Sequence, residues 1–541
     1  MDEQIREAFR TSGGVLNSLS YGMYQLNRRH FVYLSSLLTT GIISGCGPAS
    51  SNQIVRTSSG EVRGQIRNSC YEFLGVPFAE APFGPNRFRA PVKRKSWSGV
   101  FDASSYGQCC PQVKLDQSEV GDIGPDCLNL NIWTPDLGAS NLPVLFWVHG
   151  GDHGTGSGSL PLYNGKRFSD EGAVLVTANR RLGAEGFLFL DELFGGEELG
   201  ENFAILDLIC ALEWVHENIG SFGGDTSNLT LFGHGEGGAL IQAMTGAPAS
   251  KGLFRRIIVQ SSPQFACRRK SASKIARFVI DRLAIPRNDF EALQKVDPVA
   301  LTNLYPEVQL EEGELDRPYR PVISESMPVH PADVEHAGLG HDHDLLIGSS
   351  AEEASIFARL SGLDQKSVFY RRADRIIRLA GTSWDALRKV YGEFNPSLTT
   401  GEIDLLIMGD CWFRVPALRI AEGHSIKSPG RTYVYHFNWD SNLLGATHGL
   451  DLMMFGNGNP LSEISGSAFS ENISSLLRKM VVSFARYGTP NVADLEWQEF
   501  DSPTRWTAEL SESSDLLVDP FNRQRILLGR VMTDSWQVLG I

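Results

Sequence analysis

The stretch Leu229–Leu240, LTLFGHGEGGAL, tightly limits the backbone that this part of the chain can adopt. Apolar β-formers lead through a glycine-rich turn into small residues that favour a helix start. Strand, tight turn and helix in this order are typical of a nucleophile elbow, which lifts a reactive side chain above a sheet. The elbow pattern is Gly-x-Ser-x-Gly, and here Gly233 and Gly237 take the outer positions while Gly235 takes the central one. The sequence therefore predicts the turn without the side chain that usually acts from it.

Buried strands and helices alternate along the chain around this turn. The runs LPVLFWVHGG, GAVLVTANRR, RRIIVQSS and DLLIGSS are apolar and end in glycine or polar residues, as strands buried on both faces of a parallel sheet do. Residues 201–224 have apolar side chains spaced three and four apart, which predicts a helix ended by a glycine pair. The alternation predicts a doubly wound α/β sheet with right-handed crossovers, formed by one domain over residues 47–541.

Residues 1–46 are predicted to be an export signal that precedes this domain. Arg28 and Arg29 come before an apolar run that is too short to span a bilayer and is typical of a signal-peptide core. Paired arginines at this place favour twin-arginine export. The run ends in Ile-Ser-Gly-Cys, which resembles a lipoprotein box with Cys46 as the lipidated residue. We expect a periplasmic or cell-surface protein with a lipid anchor to the membrane; the alternative is an apolar N-terminal helix of the fold.

The charge balance argues against a nucleic-acid partner. The chain carries 49 Lys and Arg against 63 Asp and Glu, a net charge of −14. A protein that binds nucleic acid needs a basic surface to neutralise phosphates, and this composition offers none.

Longer motifs follow one another in a fixed order along the chain. They include YEFLGVPFAEAPFGPNRFRAP, GPDCLNLNIWTP, FWVHGGDHGTGS and THGLDLMMFG. These motifs resemble those of the type-B carboxylesterases and cholinesterases, and the resemblance runs from about Ile54 almost to the C-terminus. It implies an α/β-hydrolase fold, with a large, mostly parallel central sheet, helices on both faces and a deep active-site gorge.

The resemblance also implies where the catalytic triad of the family would lie. The nucleophile position is Gly235, the base position is His448, and the acid position is Glu353, with the adjacent Glu352 as an alternative. Covalent acyl transfer needs a side-chain oxygen or sulfur that the base can deprotonate, and glycine has neither. Two members of the triad are therefore present, and the one that would form the covalent bond is absent.

The oxyanion hole of the family would use the backbone N–H groups of Gly151, Asp152 and Glu236. Asp152 stands where the family has a third glycine, so its carboxylate would oppose the anion that the hole stabilises. Losing one such donor costs about 10²–10³ in rate. Three other polar side chains are expected near the floor of the gorge: His153, His234 and Glu185.

The polar residues of the gorge leave three interpretations open. His448, oriented by Glu353, could move a proton without forming an acyl-enzyme. Histidines and carboxylates in this number could also bind zinc or a similar ion. In the third interpretation, His448 and Glu353 persist only as a satisfied buried pair. The segment HDHD at 341–344 is predicted to be a solvated loop rather than a ligand cluster.

The resemblance further implies a disulfide between Cys110 and Cys127, worth about 3 kcal/mol by the loop-entropy argument. The segment between these cysteines lacks a tryptophan that could hold a choline cation, so choline recognition is not expected.

For function, the sequence predicts a carboxylesterase homologue without its nucleophile, which binds a small molecule in the gorge or a protein partner. The alternative is an enzyme that uses His448 and Glu353 for non-covalent acid–base chemistry, such as elimination, isomerisation, cyclisation or direct hydrolysis. No cofactor and no metal are expected.

Overall fold

The computed structural model describes most of the chain beyond the predicted export signal. The described residues are 53–539 apart from 113–121, 195–198, 288, 312–317, 362–366, 440, 442, 457–469 and 493–494. Residues 1–46, and with them Cys46, lie outside this part of the chain. Among the helices within it, none has the length and apolar character needed to cross a membrane.

A thirteen-stranded sheet forms the centre of the described structure, and a separate pair of strands lies outside it. In chain order the strands are β1 (Gln53–Arg56), β2 (Glu61–Arg67), β3 (Cys70–Pro77), β4 (Val100–Asp102), β5 (Asn129–Thr134), β6 (Leu142–Val148), β7 (Val174–Ala178), β8 (Gly224–His234), β9 (Arg256–Gln260), β10 (Cys267–Arg268), β11 (Val322–Ile323), β12 (Asp344–Ser350), β13 (Thr432–Phe437), β14 (Trp506–Leu510) and β15 (Asp515–Val518).

The middle of the sheet is parallel and its margins are antiparallel. From β7 the parallel part runs through β6, β8, β9, β12 and β13 to β14. On one side β1, β2, β3 and β5 pair antiparallel in that order up to β7, and the short β4 pairs parallel with β2. On the other side β15 pairs antiparallel with β14. Nearly every residue of the parallel strands is buried, which explains why their sequences are continuously apolar. The predicted doubly wound sheet is confirmed.

Helices occupy most of the connections between the parallel strands, and three short ones follow β15. In chain order the helices are α1 (Lys166–Asp170), α2 (Gly183–Phe187), α3 (Phe203–Asn218), α4 (Glu236–Thr245), α5 (Arg269–Arg282), α6 (Phe290–Gln294), α7 (Pro298–Asn303), α8 (Tyr305–Glu311), α9 (Ser355–Ser361), α10 (Val368–Ala380), α11 (Trp384–Phe394), α12 (Thr400–Gly409), α13 (Val415–Lys427), α14 (Glu471–Tyr487), α15 (Asn522–Leu527), α16 (Gly529–Thr533) and α17 (Trp536–Leu539). A π-helical segment, Asp410–Arg414, joins α12 to α13.

The carboxyl ends of the parallel strands gather the polar residues singled out in the sequence. The Gly150 loop follows β6, Gly235 follows β8, and Glu353 lies just beyond β12. Ligand sites in open α/β sheets lie at this end of the strands. The sheet therefore explains why residues far apart in sequence meet at one place.

The prediction of a solvated loop at 341–344 is wrong for one of its histidines. His343 is only 3% exposed, and its ring packs against that of His424, with the centroids 4.8 Å apart. The alternation of histidine and aspartate looks hydrophilic, but this segment leads directly into β12, which is buried along nearly its whole length, and His343 is already part of that packing.

Candidate active site

Gly235 forms the turn between β8 and α4 in a backbone conformation that residues with a side chain rarely adopt. Its φ is +59° and its ψ is −123°. The helix packs so closely on the neighbouring strand that a Cβ added at Gly237 would lie 2.0 Å from the carbonyl oxygen of Val148. Strain at the central residue and close helix–strand packing are the features of a nucleophile elbow. The structure thus has the predicted turn, with glycine at its centre.

His448 and Glu353 form a buried pair opposite this turn. His448 Nδ1 lies 2.6 Å from Glu353 Oε2, and the N–H of Ser350 donates to Glu353 Oε1 at 2.7 Å. With Nδ1 engaged, Nε2 points towards the turn: a Cβ built at Gly235 would lie 3.5 Å from it. Glu353, rather than the alternative Glu352, is the carboxylate that orients this histidine.

The environment of Glu353 favours its neutral form. Complete burial raises the pKa of Glu353 to about 7, although the Ser261 side chain and the N–H of Ser350 act in the opposite direction. A carboxyl group whose pKa is near neutrality can hold or release a proton under physiological conditions. The pair is therefore suited to proton transfer as well as to orienting the imidazole.

A second histidine–carboxylate pair adjoins the first. The ring of His234 lies 4.4 Å from that of His448, measured between centroids, and His234 Nε2 lies 3.4 Å from Asp451 Oδ1. Gln260 and Tyr435 hold Asp451 in place by donating hydrogen bonds to Oδ2 at 3.2 and 3.3 Å. Burial lowers the pKa of His234 to about 3, even though Asp451 acts in the opposite direction, so the ring is neutral.

Asp451 was not among the residues predicted for the site. It lies in the motif THGLD, three residues after His448, and this short spacing was the signal that could have found it. It is completely buried, and a buried carboxylate needs hydrogen-bond donors or a charged partner.

The Glu236 side chain belongs to a charged cluster that the sequence did not predict. Its carboxylate contacts Arg180 Nη2 at 2.5 Å and His153 Nδ1 at 2.7 Å. It also accepts a hydrogen bond from the backbone N–H of His153. Burial by itself would raise the pKa of Glu236, but the charges of His153 and Arg180 outweigh burial and hold it far below its usual value. Arg180 therefore balances the charge of Glu236, and the Glu236 carboxylate is engaged by Arg180 and His153 instead of being free to bind a ligand.

The loop that would form the oxyanion hole has an unusual backbone. Two consecutive non-glycine residues, Asp152 and His153, have φ values of +63° and +57°. Such conformations cost about 1–3 kcal/mol each and persist only where the surroundings impose them. Here the Glu236 carboxylate holds the N–H of His153, and the N–H of Gly183 donates to the carbonyl of His153 at 2.5 Å.

The placement of Glu185 in the gorge is wrong. Its carboxylate forms a buried ion pair with Arg87, with Nη2 and Oε1 2.5 Å apart. It lines a different, smaller cavity beside Tyr305 and Tyr319. Burying a carboxylate is costly unless it is paired or hydrogen-bonded, and Arg87 supplies a compensating charge away from the gorge.

The pocket above Gly235 has a polar floor and an aromatic wall. The lining residues are Gly150, Gly151, Asp152, His153, Tyr163, His234, Gly235, Glu236, Pro263, Phe265, Phe357, Phe369, Trp412, Phe413, His448 and Leu452. Phe369 stacks on Trp412 with the centroids 4.2 Å apart, and Phe357 lies 4.4 Å from Phe369. Four wall rings come from the region after β12: Phe357 on α9, Phe369 on α10, and Trp412 and Phe413 in the π-helical segment. Nothing in the sequence marked these residues as part of a pocket.

Cys110 and Cys127 are adjacent, but the predicted disulfide between them is not formed in this structure. Both are buried thiols, and the Cys127 thiol is hydrogen-bonded to Cys110, which together with burial raises its pKa well above the usual value. The folded chain brings the two sulfur atoms together, and their oxidation depends on the redox conditions around the protein.

Comparison with known proteins agrees with this geometry. A family model described as the carboxylesterase family matches residues 51–522. This chain belongs to the carboxylesterase family. The structure therefore has the α/β-hydrolase fold that the motifs implied.

Several members of the family resemble this carboxylesterase-family chain over most of its length. The para-nitrobenzyl esterase of Bacillus subtilis (strain 168) is 30% identical over 490 residues, covering 88% of this chain and 98% of that protein. The phenmedipham hydrolase of Pseudarthrobacter oxydans is 30% identical over 473 residues, covering 83% and 92%. Among solved structures, the carboxylesterase EST55 of Geobacillus stearothermophilus is 31% identical with a TM-score of 0.77, covering 88% of this chain and 99% of that one.

Proposed function

We propose that this chain binds a small molecule in its gorge without forming an acyl-enzyme. The observation that carries the proposal is the glycine at the centre of the elbow. Gly235 faces His448 Nε2, and a Cβ built at Gly235 would lie 3.5 Å from that nitrogen. An acyl-enzyme needs a nucleophilic side chain at this point. The chain has a base, an acid and the turn of a nucleophile elbow, and glycine at position 235 offers no atom that could attack.

The neighbouring residues do not replace the missing nucleophile. Glu236 is held by Arg180 and His153, and His234 lies against Asp451. Ser261 and Ser262, which follow β9, do not line the described part of the pocket. Covalent catalysis at this site would therefore need a substitution at position 235.

The lining of the pocket favours an aromatic ligand with a polar group at one end. Rings of Phe357, Phe369 and Trp412 offer faces and edges for stacking. The floor offers the imidazoles of His234 and His448 as hydrogen-bonding groups. The charges of Glu236 and Arg180 balance one another, so this ion pair does not select for a charged ligand.

Hydrolysis of p-nitrophenyl acetate and butyrate by matched variants tests the proposal. We expect the wild-type chain to be at background and Gly235→Ser to exceed Gly235→Ala by about 10²-fold, because general-base activation contributes this much or more. The alanine variant has the same backbone strain without the hydroxyl, and adding His448→Ala to Gly235→Ser should return the rate to background. A wild-type rate far above that of Gly235→Ala, unaffected by loss of His448, would contradict the proposal.

The two adjoining histidine–carboxylate pairs favour a second candidate function, acid–base catalysis without a covalent intermediate. His448 would act as the base, oriented by Glu353 at 2.6 Å, and the neutral His234 would donate or accept a hydrogen bond beside it. In the same assay, wild-type turnover that His448→Gln abolishes would support this second function over simple binding.

A further inference from the structure

A second group of histidine and carboxylate side chains lies at the other end of β12, before its first residue. Glu335, His343 and His424 each offer a ligand atom, and these atoms lie within 4.8 Å of one another. All three side chains are buried, with exposures of 2%, 3% and 0%. Burying two imidazoles and a carboxylate together is unfavourable unless each group has a partner.

The hydrogen bond of His343 leaves its other ring nitrogen directed at a carboxylate. Its Nδ1–H donates to the backbone carbonyl of His341, which can only accept. With Nδ1 engaged in this way, Nε2 is the ring nitrogen left to bind a ligand. Nε2 lies 3.7 Å from Glu335 Oε1 and has no hydrogen-bond partner among the residues that the structure describes.

This separation is too long for a hydrogen bond and suits two ligands of one metal ion. Hydrogen bonds between nitrogen and oxygen span about 2.7–3.2 Å. In a tetrahedral zinc site with bonds of about 2.0–2.1 Å, neighbouring ligand atoms lie about 3.3 Å apart. A cation between Nε2 and Oε1 would turn an unfavourable contact into two bonds.

The surrounding residues orient the cluster as an outer shell does in metal sites. Gln242, on α4, donates to Glu335 Oε1 at 3.1 Å. His424 Nε2 lies 3.0 Å from the carbonyl oxygen of His343 and therefore carries the proton. Its Nδ1 accepts a hydrogen bond from Thr432 Oγ1 at 2.8 Å, so binding of an ion by Nδ1 requires the Thr432 hydroxyl to turn away. Ligating histidines commonly donate their other N–H to a backbone carbonyl, and ligating carboxylates are themselves hydrogen-bonded.

We propose that Glu335, His343 and His424 bind a divalent transition-metal ion of the zinc class at the end of the sheet opposite the gorge. Two imidazoles and one carboxylate are a donor set that zinc accepts, with a fourth position left for water. The ligands come from the loop before β12 and from α13, and Gln242 connects the site to the elbow helix α4. The ion would tie these segments together as a structural cross-link.

Metal stoichiometry in matched variants tests the site. The purified chain is stripped with a chelator, loaded with Zn²⁺ or Co²⁺, passed through gel filtration and analysed for metal per chain. We expect about one ion per chain in the wild type, and binding weakened by at least about tenfold in Glu335→Gln and His343→Gln. His341→Gln is the matched control, since His341 contacts Ser250 and Ala247 instead.

Three results would overturn the proposal. They are a wild-type chain that retains no ion, Glu335→Gln and His343→Gln variants that retain it fully, or loss on Glu353→Gln, which would place the ion in the gorge. The visible spectrum of bound Co²⁺ decides independently if a variant fails to fold. Tetrahedral nitrogen and oxygen ligands support the site, whereas a near-ultraviolet thiolate band would assign the ion to the buried cysteines.

Discussion

The two ends of β12 carry the same residue types in different arrangements. Beyond its carboxyl end, Glu353 lies 2.6 Å from His448, a hydrogen bond that leaves the outer imidazole nitrogen facing the pocket. Before its amino end, Glu335 lies 3.7 Å from His343, with no hydrogen bond between them. A difference of about 1 Å thus separates the two pairs. Glu353 and His448 can share a proton, whereas Glu335 and His343 are too far apart to do so and leave room for a bridging ion. Residue identity alone would not separate the two.

The largest effect is expected at the gorge end, in the Gly235→Ser background. There, Glu353→Gln should lower esterase activity by about 10²–10⁴, because the imidazole loses the group that sets its tautomer and orientation. Initial rates with p-nitrophenyl butyrate measure this loss. The matched substitution at the other end, Glu335→Gln, should leave those rates within about twofold when zinc is absent, as the two pairs are separate. Equal losses of esterase activity in Glu353→Gln and Glu335→Gln would contradict the view that the two pairs act separately.

The buried ion pair between Glu236 and Arg180 at the gorge end should stabilise the folded chain whether or not a metal ion is bound. Glu236→Gln leaves the buried Arg180 guanidinium without its counter-charge and should lower the free energy of unfolding by about 3–5 kcal/mol. Urea denaturation with and without Zn²⁺ measures it. Asp170→Asn serves as control, since its pair with Lys166 is partly exposed and is worth about 0.3–0.5 kcal/mol. A loss that Zn²⁺ repairs would contradict this account.

Zinc should stabilise the chain through the opposite end only. At a free concentration about 100 times the dissociation constant, an ion bound to the folded state alone adds about 2.7 kcal/mol. Thermal melts should therefore rise with Zn²⁺ in the wild type and in Glu353→Gln, and should not rise in Glu335→Gln. If the melt of Glu335→Gln responds as the wild type does, the ion binds elsewhere.

The smallest effect expected is a pH dependence from Glu353. Its pKa is raised to about 7 in the folded chain, against about 4.3 in an unfolded one. Between these two pKa values the folded state binds more protons than the unfolded state. The contribution of Glu353 to the free energy of unfolding is therefore fully present below about pH 4 and is lost as the pH rises through 7. We expect a loss on the order of 1–3 kcal/mol across this window, smaller in Glu353→Gln. Unfolding curves at pH 5, 6 and 7 compare the two, and parallel slopes would show that Glu353 does not titrate there.

Much of the architecture could be predicted because it depends on local patterns. The apolar runs of β6, β7, β9 and β12 and the apolar spacing of α3 are properties of contiguous residues, and each element lies where its pattern placed it. The elbow at Gly235 was predictable for the same reason, since a strand, a positive φ and a close helix start all constrain neighbouring residues.

The positions of His448 and Glu353 came from motifs of the family rather than from any local physical signal. They are 95 residues apart in sequence. They meet because the parallel strands β12 and β13 end at the same edge of the sheet, and each residue lies in the segment that follows one of these strands. Asp451 was overlooked because its burial and its contact with His234 exist only in the folded chain.

What the sequence determined by itself was therefore the order of strands and helices, the elbow and the absence of a side chain at its centre. The tertiary structure decided the partners of the buried charges: Arg87 for Glu185, 98 residues away, and Arg180 for Glu236, 56 residues away. It also decided that His343 is buried beside Glu335 and His424 rather than solvated. The physical reason is that a buried charge is stable only with a partner, and which partner lies within reach depends on how distant segments pack.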